Sequence, residues 1–92
     1  MGAFTEMTTL SKYLEITHCS MDVHCEGDRF CATIAGAVFR SDDDHPYGKI
    51  IGIGSTADEA VHDFCRKIRG GHMRVGSRKN GVEWNCPYRL EV

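Results

Sequence analysis

The chain predicts a small α+β domain, an antiparallel sheet in the order β-β-β-α-β-β with one amphipathic helix packed on one face. Three stretches carry that prediction: an alternating run over residues 17–25, a short β-branched run over 49–53, and a capped amphipathic run over 56–71. With 92 residues, 41% apolar and 26% charged, the composition suits one globular domain and not a disordered chain. Residues 13–92 are expected to form that domain behind a flexible N-terminal arm over residues 1–12.

In the first run, Cys19, Met21, Val23 and Cys25 alternate with His18, Ser20, Asp22 and His24, the period of a strand with one apolar face. Gly27-Asp28 is a suitable two-residue hairpin turn. Closing there pairs Cys25 with Phe30, Val23 with Ala32 and Met21 with Ile34, and sets Glu26 opposite Arg29. A slip by one residue would scramble all four pairs. After the polar loop Ser41-Asp42-Asp43-Asp44-His45-Pro46, the continuous run Lys49-Ile50-Ile51-Gly52-Ile53 predicts a buried strand beneath a helix.

The helix is predicted by independent signals. Thr56 caps it while Glu59 reaches back, a capping box that satisfies otherwise orphaned N–H groups. Asp58 and Glu59 suit the positive end of the helix dipole, and Arg66, Lys67 and Arg69 the negative end. Ala57, Ala60, Val61, Phe64, Cys65 and Ile68 form one apolar stripe, and Gly70-Gly71 supplies the stop. Beyond it, Asn80-Gly81 predicts a tight hairpin that pairs Arg78 with Glu83, Ser77 with Trp84 and Val75 with Cys86. Tyr88, Leu90 and Val92 are compatible with a last strand.

Charge is laid out unevenly. Residues 1–65 carry 11 acidic and 4 basic side chains, whereas residues 66–92 carry 7 basic and 2 acidic ones. Such polarity steers association with a charged partner. No apolar run approaches the roughly 20 residues that span a bilayer, and no secretory leader is recognisable, so a cytoplasmic protein is expected. Five cysteines, an odd number without a leader, read as small buried hydrophobes and not as a disulfide framework.

Nothing in the spacing calls for a cofactor or a metal. His18-Cys19 and His24-Cys25 lie on a strand, where each His points away from its Cys. No cysteine is flanked as a nucleophile would be, so an enzyme is not expected. Gly52-x-Gly54 lacks the third glycine of a dinucleotide fingerprint.

Some resemblances to known families add to this reading. The run Gly54-x-Thr56-x-x-Glu59-Ala60 resembles the sheet-to-helix junction of HicB-type antitoxins. The order Phe30…Ile34…Gly52-x-Gly54-x-x-x-x-x-Ala60 resembles the β-β-β-α half of a double-stranded-RNA-binding domain. That family implies a lysine pair at the helix start; here Thr56-Ala57-Asp58-Glu59 stands in its place and would repel phosphate. In size and charge layout the chain is similar to small anti-defence proteins of phages and mobile elements, anti-CRISPR inhibitors among them, which implies a host nucleoprotein complex as target and the host cytoplasm as location.

The expected function is therefore a non-enzymatic protein-binding module. Its partner surface is expected at the acidic loop residues Asp42, Asp43 and Asp44 and the basic residues Arg66, Lys67, Arg69, Arg74, Arg78 and Lys79. The alternative is a nucleic-acid-binding or antitoxin-like regulator that uses the basic C-terminal region.

Overall fold

In the computed structural model, which describes residues 8–42, 44–76 and 81–92, the alternating run becomes the hairpin β2 (Met21–Glu26) and β3 (Arg29–Ile34). Ahead of it stand β1 (Thr8–Thr9) and α1 (Leu10–Thr17). The hairpin register is the expected one: Met21 faces Ile34, Val23 faces Ala32, Cys25 faces Phe30 and Glu26 faces Arg29. Gly27 takes a φ of 68°, as a primed two-residue turn requires. The following elements are β4 (Ala37–Arg40), β5 (Gly52–Gly54), α2 (Ala57–Ile68), β6 (His72–Val75), β7 (Val82–Asn85) and β8 (Leu90–Glu91).

The α+β class holds, with more parts than one sheet and one helix. Strands β2, β3 and β5 form one antiparallel sheet in that order, β4, β6 and β7 form a second, and β1 lies parallel to β8. Between β3 and β4 the chain leaves the first sheet for the second at Gly36, whose φ of 74° few other residues adopt. Both sheets and both helices share one core, in which Phe39 of β4 and Phe64 of α2 meet edge to face with ring centroids 5.5 Å apart.

Helix α2 forms as its signals require. The Thr56 hydroxyl accepts the Glu59 N–H at 3.1 Å, and Ala60, Phe64, Cys65 and Ile68 are buried. The Glu59 carboxylate reaches one residue further back than expected, to the N–H and hydroxyl of Ser55 at 3.2 and 2.7 Å. Gly52 and Gly54 sit directly beneath this helix. A Cβ on Gly52 would overlap the Ala60 carbonyl oxygen and the Phe64 backbone nitrogen, and one on Gly54 would press on Glu59 and Ala60.

Several expectations are corrected. Residues 8–12 are not a loose arm: Thr8 and Thr9 pair with Leu90 and Glu91, and Thr9 caps a helix that begins at Leu10. Leu10, Tyr13 and Thr17 are a buried helical stripe too short to stand out beside the alternating run that follows. The Tyr13 hydroxyl donates to the Asn85 carbonyl at 3.2 Å and lies 3.7 Å from the Cys86 sulfur. Thr17 and His18 end α1 instead of opening a strand. His18 takes a left-handed φ of 57°, and the N–H groups of His18 and Cys19 return to the carbonyls of Glu15 and Leu14.

The second hairpin is also shifted. Trp84 faces Met73, four residues back from Ser77; Arg74 faces Glu83, and Val75 faces Val82. Gly76, at a φ of 101°, ends β6 early, so the connection is longer than the two-residue turn expected at Asn80-Gly81. An even shift keeps every side chain on its assigned face, and Trp84 still packs on the core. The run over 49–53 is not one buried strand: only Gly52 and Ile53 enter the edge strand β5. Gly52 lies beneath α2, Ile50 packs partly on the core, and Ile51 and Ile53 are exposed. Finally, all five cysteines are free thiols, but Cys25 is exposed and Cys19 only half-buried.

Gly52→Ala is expected to destabilise the fold by about 3 kcal/mol, the upper end for overpacking, since backbone meets the added methyl and cannot rotate away. Gly48→Ala, with open space around it, should fall within about 0.5 kcal/mol of the parent. Urea unfolding of the two variants makes the comparison.

Candidate functional site

The outer face of the β4-β6-β7 sheet carries the densest group of interacting charged and aromatic side chains. Phe39, Met73 and Trp84 point to the core, so alternation turns Val38 and Arg40, His72 and Arg74, and Glu83 and Asn85 outward. The segment after β4 leaves at Ser41 and returns at Gly48, which exchanges backbone hydrogen bonds with Phe39 at 2.6 and 2.7 Å. Its last turn lays Tyr47 across the face.

Tyr47 is held from several sides. The Arg40 guanidinium carbon stands 4.5 Å from its ring centroid and that of Arg74 5.4 Å away, both within cation–π reach. Its hydroxyl donates to the Glu83 carboxylate at 2.5 Å, and Glu83 also lies 3.7 Å from Arg40. Burial, then this hydrogen bond, pushes the Tyr47 hydroxyl above its ordinary pKa, and the same bond draws Glu83 below the usual carboxylate range. Alongside, His72 and Asn85 join side chains at 3.0 Å.

The rim of the loop is acidic. Asp42 lies 2.7 Å from His45 Nδ1 and accepts the Asp44 N–H at 2.9 Å, a local turn that fixes the loop's shape. The His45 contact comes first among the causes that lower the Asp42 pKa. Asp44 itself is exposed.

Asp42, Asp44 and Arg74 thus belong to one unit, because the loop that carries the two aspartates also delivers Tyr47 onto Arg74. Asp43, Arg78 and Lys79 lie outside the described residues. The other expected contacts are engaged within the fold. Arg66 and Lys67 pair with Asp63 at 2.6 and 2.9 Å, and the Arg69 Nε–H donates to the Leu90 carbonyl at 2.8 Å. Asp63 in turn accepts the Ile53 N–H at 2.9 Å, and the Lys67 ammonium donates to the Ile51 carbonyl at 3.0 Å. These bonds cover the outer edge of β5, a row of backbone groups that would otherwise stand open.

Arg40, Tyr47 and Glu83 are not among the partner-contact residues expected from the sequence, which assigns Glu83 only to a hairpin pair with Arg78. The alternation of Val38 and Arg40 with Ala37 and Phe39 was the available signal, but the strand is short and its partners come from far along the chain. On the first sheet, His24 and Cys25 do point to opposite faces, yet His24 faces Cys31 across the ladder. The ligand atoms of His24, Glu26 and Cys31 all lie within 4.8 Å of one another.

Comparison of the chain with protein-family models, with curated proteins and with solved structures found no match. Among the described residues no helix is long and apolar enough to cross a membrane.

The backbone hydrogen bond from Ile53, together with Lys67 and Arg66, holds the Asp63 pKa down at about 2. A carboxylate lowered in this way stabilises the fold above its unfolded pKa, near 4, and the contribution fades as pH falls through about 2. Asp63→Asn should therefore cost on the order of 1–2 kcal/mol at neutral pH. The variant and parent should converge towards pH 2, as read by urea unfolding across that range.

Proposed function

We propose that this chain is a non-enzymatic binding module that docks on a protein partner through the Tyr47 face and the adjoining Asp42–Asp44 loop. The observation that carries the reading is the fixed position of Tyr47 between Arg40, Arg74 and Glu83. Tyrosine and arginine are the residues that most often anchor protein interfaces. Side chains already held in place lose less freedom on docking, so more of the contact energy appears as affinity. The acidic rim beside them suits a basic protein surface and would steer its approach. An acidic loop set against a basic groove also excludes nucleic acid from it, which is the action expected of an anti-defence inhibitor aimed at a nucleoprotein complex.

The engagement of Arg66, Lys67 and Arg69 within the fold leaves fewer cations for a nucleic-acid backbone than the sequence suggests. A tagged chain used as bait in host lysate, with and without nuclease, tests the reading. A protein partner is expected to survive nuclease treatment. Asp42→Lys with Asp44→Lys should weaken its binding at least about tenfold and flatten the salt dependence. Tyr47→Ala should weaken it by a similar factor, with little change in salt dependence. Recovery of nucleic acid alone, or a partner bound equally by all variants, would displace this reading in favour of the nucleic-acid-binding regulator or of another surface.

A further inference from the structure

We infer that the open face of the β2–β3 hairpin is a binding site for a divalent transition-metal ion of the zinc class, with His24, Glu26 and Cys31 as its protein ligands. Asp22, His24 and Glu26 follow one another at every second position of β2 and so share the face turned away from Val23 and Cys25. Cys31 reaches the same face from β3, as the direct cross-strand partner of His24. The three ligand atoms converge within 4.8 Å, with His24 Nε2 at 3.0 Å and Cys31 Sγ at 3.8 Å from Glu26 Oε2.

Those separations fit one small ion. Bonds of about 2.0–2.1 Å to nitrogen and oxygen and about 2.3 Å to sulfur, at tetrahedral angles, set N···O near 3.4 Å and S···O near 3.6 Å. The two distances from Glu26 Oε2 need to change by only a few tenths of an ångström, and rotation of the exposed His24 side chain sets its nitrogen against the Cys31 sulfur. A thiolate and an imidazole select zinc-like ions over calcium or magnesium, which prefer all-oxygen shells.

The surroundings are those of a supported site. Asp22 Oδ1 lies 3.6 Å from His24 Nδ1, on the ring nitrogen that a metal at Nε2 would leave for an outer carboxylate. Cys31 is buried on the central strand of its sheet, where the backbone is paired on both sides. Ile53 of β5 faces Cys31 from the third strand and supplies an apolar wall. His24 and Glu26 are exposed, so ions reach the site from solvent and a fourth position is left for water. On binding, the Cys31 thiol gives its proton to solvent and the sulfur becomes an anionic ligand.

A plain surface ion pair beside a small buried thiol makes the opposite predictions, and cobalt(II) added to the reduced full chain separates the two. The metal site predicts a thiolate-to-cobalt charge-transfer band with four-coordinate visible bands, saturating at one equivalent and erased by zinc. Cys31→Ser should abolish the charge-transfer band. His24→Gln and Glu26→Gln, at exposed positions that do not disturb folding, should each weaken cobalt binding at least about tenfold. Asp22→Asn, acting through His24, should weaken binding but keep the spectrum, and Cys25→Ser on the other face should change nothing. Absence of the band in the parent chain, its persistence in Cys31→Ser, or unaltered affinity in both His24→Gln and Glu26→Gln would overturn the assignment.

Discussion

The contact on which the rest of this fold depends is the one between α2 and two residues without side chains. At Gly52 and Gly54 the helix backbone comes so close to β5 that any Cβ would collide with it. That approach lets Ala60 and Phe64 sit on the sheet with no measurable exposure, and it sets the depth at which Phe64 meets Phe39 of the other sheet. Interiors packed at crystal-like density transmit a displacement and do not absorb it. A helix held one methyl further out would therefore part from both sheets together.

The same closeness explains how β5 exists as an edge strand at all. It is three residues long and its one isoleucine, Ile53, faces outward, so side-chain burial contributes little to holding it. Its inner edge is paired with β3, and its outer edge is bound by Asp63 and Lys67 from the helix lying over it. Arg66 completes the charge balance at Asp63. Residues that look like a solvated helix face, or like a phosphate grip, are in this way part of the sheet's hydrogen bonding.

How much of this was legible in the sequence follows from the range of each interaction. The first hairpin and α2 were read down to individual pairs and caps, because turn, alternation and capping box all act within a few residues. α1 was missed: its stripe spans eight residues, and its anchor, the Tyr13 hydroxyl on Asn85, lies at the far end of the chain. The second hairpin keeps its expected return strand but not its outgoing one. Asn80-Gly81 is a strong local turn signal that draws Ser77 and Arg78 into the pairing, whereas Gly76 ends β6 at Val75, and Met73 and Arg74 take the places opposite Trp84 and Glu83. At the candidate site Asp42, Asp44 and Arg74 were chosen for charge alone. Tyr47, which joins them, depends on strands brought together only by the finished fold.

The pairing of β1 with β8 has a consequence for the order in which the molecule is made. Thr8 and Thr9 leave the ribosome some eighty residues ahead of their partners Leu90 and Glu91. Tyr13 waits nearly as long for Asn85 and Cys86. Until residues 85–91 emerge, residues 8–17 therefore have neither their sheet partner nor their core contact, while the first hairpin and α2 have the local contacts they need. The earliest described segment to be synthesised is among the last to settle, and it closes the domain as a clasp.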